Sequence, residues 1–400
     1  MDYYTLVLGS IFALSFLYTL AKLCSRGNKK LPPGPSPWPI IGNLHLLGAK
    51  PHISLANLAK IYGPIMSLKL GQITTVVISS STIAKQVLKH QDQVFSGRFV
   101  PDALQAHNHC KFSVAWLPVC PQWRTLRRIL NTNIFSSNRL DANQHLRSQK
   151  VKELIAYCTK CSQEGAALDV GQAAFKTNLN FLSNILFSKD LADPFSDSKD
   201  LFSAGTDTTT STLEWAMAET LRQPRIMKKA QAELAKITGK GKRIEETDIS
   251  RLSYLQCIIK ETLRMHPPVP FLLPRRVEQD VELCDYIIPK GSQVLVNVWA
   301  IGRDSTFWED PLVFKPERFW SSDLDMRGKD FELIPFGVGR RICPGLPLAL
   351  RMVPVILGSL LNSFNWKLEA DIGPNELDME EKFGFTLAKA LPLRVIPSPL

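Results

Sequence analysis

Residues 336–345 read Phe336-Gly337-Val338-Gly339-Arg340-Arg341-Ile342-Cys343-Pro344-Gly345 and lead into a long apolar run from Leu346. Gly337 and Gly339 let the backbone approach a neighbour closely or take conformations closed to other residues. Arg340 and Arg341 place positive charge beside the sulfur. A cysteine at a helix N-terminus near arginines is expected to have a depressed pKa, and thiolate is what a metal ligand requires. A lone free cysteine is ordinarily a small buried apolar side chain. The glycine and arginine frame argues against that reading here.

Working outward, four stretches carry polarity that an ordinary core would not need. Glu261 and Arg264, in Lys260-Glu261-Thr262-Leu263-Arg264, fall three apart on one helical face, and Arg318 follows in Pro316-Glu317-Arg318-Phe319. Alone, Glu261 and Arg264 read as a solvated pair. Ala204-Gly205-Thr206-Asp207-Thr208-Thr209 gathers poor helix formers, whose side chains compete for backbone groups. Trp123 and Arg127 are four apart on one helix face, and Arg275 ends Leu273-Pro274-Arg275. An arginine fork donates two parallel hydrogen bonds to a carboxylate. Cys158-Thr159-Lys160-Cys161 is one CxxC with no second pair, which argues against zinc or redox chemistry. The histidines show no metal-ligand spacing.

Phe336, Gly339, Arg341, Cys343 and Gly345 together resemble the haem-binding signature of the cytochromes P450. The resemblance runs from the N-terminal segment to Pro392. It implies a haem-thiolate monooxygenase with Cys343 as axial ligand of haem b, thiolate ligation being general to that family. Phe336, Gly337 and Gly345 would surround the ligand, Ala204 and Gly205 would lie beside the haem, and Trp123, Arg127, Arg275 and Arg341 would meet its propionates. The resemblance further implies that Asp207 relays protons, that Thr208 opens a groove for O2 and water, and that Glu261, Arg264 and Arg318 form a buried structural network. Electrons are expected from NADPH through the membrane-bound NADPH–cytochrome P450 reductase, docking on a basic face near Arg124, Arg128, Arg340 and Arg351.

Phe95-Ser96-Gly97-Arg98, Pro101-Asp102-Ala103-Leu104 and Ser113-Val114-Ala115-Trp116-Leu117-Pro118 resemble a plant subfamily that includes geraniol hydroxylases. The implied substrate is a small hydrophobic plant metabolite such as a monoterpenoid alcohol. The resemblance implies that the loop carrying these stretches, Val269 to Leu273 and Phe383-Gly384-Phe385-Thr386 line its pocket. These side chains are mostly apolar, which suits such a ligand.

The periodicity predicts a mainly α protein with a minor β part. Helices are expected over His52–Tyr62, Ser81–His90 (capped by Ser80 or Ser81), Trp123–Ile129, Asn143–Cys161, Thr177–Phe187, Leu201–Arg222, Pro224–Ile237, Ile249–Met265 and from Cys343 to Leu361. Strands are expected at Ile65–Leu70, Thr74–Ile78 and within Val277–Val298, and a long structureless loop over Phe95–Pro121. Composition excludes a disordered chain: 45% of residues are hydrophobic and 21% charged. Eight cysteines are too few for a disulfide scaffold. The net charge of +11 would suit nucleic acid, an anionic membrane or an acidic protein; no motif supports nucleic acid.

Tyr3 to Ala21 carries no charge, and 19 residues at about 1.5 Å each make a helix of about 28 Å, enough to span a bilayer core. Lys22, Arg26, Lys29 and Lys30 follow, so the body is expected on the cytosolic side; the resemblance implies an endoplasmic reticulum membrane. Asp2 and the lack of a small-residue cleavage pattern disfavour a signal peptide. The expected organisation is a transmembrane anchor over 3–23, a basic and proline-rich linker over 24–50, and a haem-binding monooxygenase domain over 51–400.

Set against the resembled family, 400 residues is short. Only sixteen residues separate Phe187 from Ala204, where the family carries its F, G and H helices and several turns of the helix crossing the haem. Pro194, Ser196, Asp197 and Ser198 break helix there, so a shortening near 188–203 is expected. Two readings stand: the monooxygenase, and a membrane-anchored, non-catalytic product of an altered transcript or gene model with impaired haem or substrate binding.

Overall fold

Leu70 faces Ile73 across Gly71-Gln72, and Gly71 takes a φ of +61°, the left-handed conformation that a two-residue hairpin turn demands. The hairpin so formed, β1 (Ile65–Leu70) with β2 (Ile73–Ile78), starts the main sheet. The structure is a computed structural model that describes residues 31–192 and 203–400, with residues 3, 4, 7, 9, 10, 12, 13 and 16 near the N-terminus. These N-terminal residues are helical and exposed; the rest of the expected anchor, the basic cluster to Lys30 and most of the expected shortening, with Asp197 and Ser198, lie outside the described residues.

Helices in chain order are α1 (Pro51–Tyr62), α2 (Ser81–Lys85, prolonged by a π-turn over Gln86–His90), α3 (Pro121–Ile129, prolonged by a π-turn over Leu130–Ile134), α4 (Ser137–Ala142), α5 (Gln144–Glu164), α6 (Val170–Phe187), α7 (Ser203–Arg222), α8 (Pro224–Thr238), α9 (Ser253–Met265), α10 (Val298–Ile301) and α11 (Leu346–Ser363). The remaining strands are β3 (Gly97–Arg98), β4 (Leu168–Asp169), β5 (Arg275–Arg276), β6 (Val281–Leu283), β7 (Tyr286–Ile288), β8 (Gln293–Val296), β9 (Phe364–Leu368), β10 (Glu381–Lys382), β11 (Ala388–Lys389) and β12 (Arg394–Pro399). The main sheet has the order β1-β2-β8-β5-β3, and only its β2–β8 pair is parallel. A three-stranded sheet β4-β12-β9 and the hairpins β6–β7 and β10–β11 complete a mainly helical fold with a minor β part.

The largest apolar core joins α5 to α9 and α11 through Leu154, Phe181, Leu213, Leu234, Leu255 and Ile356, all buried. α11 alone among the described helices is long and apolar enough to cross a membrane, yet 67% of it is buried in the body. It is the central core helix. A second core packs α2 on the main sheet through Val87, Leu88, Val76 and Val294.

Three expectations change. The stretch from Phe95 to Pro121 is not structureless: it holds β3 and a 3-10 turn run over Asp102–Lys111. A two-residue strand is too short to show periodicity, and tertiary pairing with Arg275–Arg276 makes it. The helix expected over Ile249–Met265 is broken at Leu252, because a capping box between Glu245 and Asp248 closes a separate turn over Glu246–Arg251. Ser80 is the N-cap of α2 but makes no side-chain cap bond. The proline-rich connector, finally, is fastened to the body: Ser67 N donates to Pro33 O at 2.8 Å and Ser67 Oγ to Pro32 O at 2.6 Å.

Candidate active site

The segment before α11 is bent by Gly337 and Gly339, with φ of +67° and +73°. A Cβ on Gly339 would stand 2.6 Å from Leu88 O, so only glycine lets this loop lie against the π-turn of α2. A 3-10 turn, Gly339–Arg341, follows, and Cys343 N donates to Phe336 O at 2.9 Å, which closes the loop across Phe336 and Gly337. Cys343 then sits three residues before α11, where the backbone of Gly345 and Leu346 favours a charged sulfur. The two arginines part. Arg340 turns to the surface and pairs with Asp92 at 2.8 and 3.0 Å, whereas Arg341 is buried.

The expected depressed thiol pKa is not what this environment gives. Burial is the largest influence on Cys343 and pushes its pKa up, against the two amides and Arg127, which pull it down. The sequence shows the helix start and the arginines but not the depth of the sulfur. Thiolate at this depth is stabilised by a cation coordinated to it.

Around the loop, four guanidinium groups gather. Arg341 donates to Ser96 O at 3.0 Å and Leu117 O at 2.6 Å; Arg275 donates to Phe95 O at 3.0 Å; Arg127 donates to Ile342 O at 2.9 Å; Arg98 donates to Ala115 O at 3.0 Å and Leu273 O at 2.9 Å. Trp123 stacks between, 4.7 Å from Arg341 and 5.8 Å from Arg127, while its indole N–H donates to Val114 O at 3.0 Å. Desolvation lowers the pKa of all four arginines, and their mutual repulsion adds to it in Arg98, Arg275 and Arg341; Arg275 and Arg341 fall to about 10. Backbone carbonyls satisfy hydrogen bonds but carry no net charge. Buried charges are ordinarily paired. Arg275 Nε is buried with no partner at all. The cluster therefore has the chemistry of a receptor for an anionic group, and one with two carboxylates suits it. With the Cys343 sulfur facing the same region through Arg127, these residues fit haem. Arg98 belongs to this set and was missed by the sequence reading, where it served only as part of a subfamily pattern.

Glu261, Arg264 and Arg318 meet as a group. Arg264 donates to both Glu261 oxygens at 2.7 and 2.8 Å, and Arg318 Nε donates at 3.0 Å. Lys315 N adds a fourth bond at 2.7 Å, and Arg264 also reaches Gly302 O. Glu261 and Arg264 are fully buried, so the solvated-pair reading falls.

On α7, Ala204, Gly205, Asp207 and Thr208 are all helical. A Cβ on Gly205 would stand 2.6 Å from Leu182 Cδ1, so this glycine admits α6 close to α7. Thr208 is half-buried, and its carbonyl accepts from Thr212 Oγ1 at 2.9 Å. Thr212 thus back-bonds onto the carbonyl of Thr208, a contact that competes mildly with the helix ladder. α7 packs on α9 and α11, which carry the Glu261 network and follow Cys343. Elsewhere, the two expected pocket stretches meet: the rings of Phe271 and Phe383 contact edge-on at 6.0 Å.

The profile of the family described as Cytochrome P450 matches residues 32–198 and 195–392, two runs that meet just before α7. The chain is 56% identical to a geraniol 8-hydroxylase of Catharanthus roseus over 494 aligned positions taking in all of both chains. It is 54% identical to a geraniol 8-hydroxylase of Swertia mussotii over all of this chain and 99% of that one. About 94 of the 494 positions, the difference from 400, carry no residue of this chain. Its fold matches a zebrafish cytochrome P450 solved with progesterone at a TM-score of 0.76 and 22% identity, over 88% of this chain and 99% of that one.

Proposed function

The chain belongs to the cytochrome P450 family, as a plant haem-thiolate monooxygenase of the geraniol hydroxylase-like subfamily, and we propose that its substrate is a monoterpenoid alcohol of the size of geraniol. Bound haem supplies the redox chemistry: one atom of O2 enters a C–H bond of the substrate, and the other leaves as water at the expense of two electrons from NADPH and two protons. The chain's part is to hold, orient and protonate. Cys343 would supply the thiolate that holds the haem iron, with the Gly345 and Leu346 amides and Arg127 favouring the charged sulfur. Arg98, Arg127, Arg275 and Arg341, with Trp123 as their packing partner, would bind the propionates. Phe336, Gly337 and Gly345 would shape the proximal side and Ala204 and Gly205 the distal side. Asp207 would carry protons inward, and Thr208 would hold them at its hydroxyl. Glu261, Arg264 and Arg318 tie the segment from Gly302 to Arg318 to α9. NADPH–cytochrome P450 reductase is the expected electron donor, with residues 3–23 as a single-pass anchor in the endoplasmic reticulum membrane and the body facing the cytosol.

The observation that carries this reading is the cluster of four arginines beside Cys343, none of them hydrogen-bonded to a carboxylate. A second reading has its own support. The two profile runs meeting at 195–198, and the missing aligned positions, favour loss of the F, G and H helices, the roof of the substrate pocket. Such a chain would admit water to the distal face or fail to retain haem, which makes it a non-catalytic, shortened product. A carbon monoxide difference spectrum of the reduced protein separates the two. A thiolate-type Soret band, lost in Cys343→Ser, with hydroxylated geraniol formed alongside reductase, supports the enzyme. Folded protein without that band overturns it.

A further inference from the structure

The turn Phe383-Gly384-Phe385-Thr386 joins β10 to β11, and both of its arms are tied down by buried polar groups. On the entering arm, Glu381 Oε2 lies 2.8 Å from His52 Nε2, and Oε1 accepts from Trp299 Nε1 at 3.3 Å. His266 Nδ1 is 3.4 Å and Arg303 3.9 Å from the same Oε1. On the leaving arm, Leu387 N donates to Pro268 O at 2.8 Å, while Leu387 O accepts from Ser211 Oγ at 2.7 Å and Trp215 Nε1 at 3.4 Å.

The two arms are joined through α7. Ser211, Trp215 and Glu219 are spaced by four and therefore share one helix face. His266 stacks on Trp215 at 3.9 Å with an interplanar angle of 1°, and its Nε2 is 2.9 Å from Glu219 Oε1. Arg222 holds the other oxygen of Glu219 at 2.7 Å. Lys389, opposite Glu381 in the β10–β11 ladder, lies 5.0 Å over Trp215. Inside this ring Phe383 stacks on His52 at 5.7 Å and meets Phe271. Buried ionic groups of this kind contribute little net stability compared with apolar side chains of the same volume, but removing one partner leaves the others uncompensated, so the set holds or fails together. Here the fixed geometry is that of the turn expected to line the pocket, whose Phe383 meets Phe271, referred to the same helix as Thr208. Ser211 lies three residues beyond Thr208.

We propose that Glu381, held by His52 and His266, is a positioning residue, and that its latch to Ser211, Trp215 and Glu219 sets how the Phe383–Thr386 turn presents a small terpenoid alcohol for oxidation. This rests on the proposed monooxygenase reading for its catalytic consequence, but the latch itself is a property of the chain.

The test uses Glu381→Gln, which removes the charge and keeps an oxygen acceptor, and Ser211→Ala, which removes one bond to Leu387 O. With geraniol as probe, the ratio of products hydroxylated at different carbons is expected to change several-fold in Glu381→Gln and less, in the same direction, in Ser211→Ala. KM should rise while the carbon monoxide band is retained. Hydrogen–deuterium exchange of the peptide spanning 381–389 is expected to quicken in both variants. An unchanged product ratio in folded, band-retaining variants overturns the proposal. If Glu381→Gln does not fold, Ser211→Ala decides alone by the same criterion. If the wild type does not oxidise geraniol, the proposed substrate fails separately, and unchanged exchange over 381–389 would then overturn the latch.

Discussion

Arg275 and Arg341 hold two buried guanidinium groups that repel each other, and neither is hydrogen-bonded to a carboxylate. An anion bound between them would relieve that repulsion, so the pair should behave oppositely with and without haem. In Arg275→Gln, haem-free protein is expected to melt at the same temperature as wild type or higher, because a desolvated charge is gone. Haem retention should fall about tenfold or more, the loss of one charge-assisted bond being worth about 1.5–3 kcal/mol. Thermal melts and haem-to-protein ratios measured on both forms check this. A variant destabilised in the haem-free form with unchanged haem retention would mark Arg275 as purely structural.

Glu261 accepts from Arg264, Arg318 and Lys315 N with no exposure to solvent. Glu261→Ala would leave two guanidinium groups buried without their partner, a change that costs about 3–5 kcal/mol in such networks. Little soluble folded protein is expected, and urea midpoints of whatever folds should be sharply lower. Glu261→Gln, which keeps two acceptors but not the charge, should be intermediate. Wild-type stability in Glu261→Ala would mean that the network is ornamental.

Thr208 is half-buried on α7, and its carbonyl accepts from Thr212 Oγ1. If its hydroxyl holds protons for oxygen reduction, Thr208→Ala should keep the thiolate-type carbon monoxide band while shifting the fate of oxygen. The expected outcome is several-fold more peroxide per NADPH consumed and correspondingly less hydroxylated product. Peroxide and product are assayed in the same reductase-driven reaction. Equal coupling in Thr208→Ala and wild type would remove Thr208 from the mechanism.

What the sequence made legible follows from distance along the chain. The Cys343 loop is local: its glycines, arginines and cysteine lie within ten residues, and the helices around it announce themselves by period. The groups that complete the site are far apart in sequence. Arg98 and Arg275 meet only because two-residue strands β3 and β5 pair, and strands that short carry no pattern. Glu381 and His52 are separated by 329 positions. The direction of the Cys343 pKa depended on depth, a tertiary quantity; the arginines visible in the sequence pulled the expectation the wrong way. Glu261, Arg264 and Arg318 were grouped through resemblance, since nothing in their spacing reports burial.

Glu214 lies on α7 beside β12, where its Oε1 accepts from Leu393 N at 2.9 Å. Burial is the main cause that raises its pKa to about 7, against the Leu393 amide and Lys389, which lower it. Since the folded state binds this proton more tightly than the unfolded chain, whose carboxyl titrates near the ordinary value of about 4.3, the favourable contribution is complete below that value. It is lost as pH rises toward about 7. Glu214→Gln keeps the oxygen that Leu393 N needs and abolishes the titration. Subtracting the two proteins' unfolding free energies cancels every other titrating group. At pH 3 the difference should be near zero; at pH 8 the variant should be more stable by about 1–3 kcal/mol, from roughly 1.4 kcal/mol per pKa unit with allowance for relaxation around the charge. Urea unfolding at the two pH values measures it. A difference that does not change between them would mean that the Glu214 carboxylate is as well solvated in the fold as in the unfolded chain.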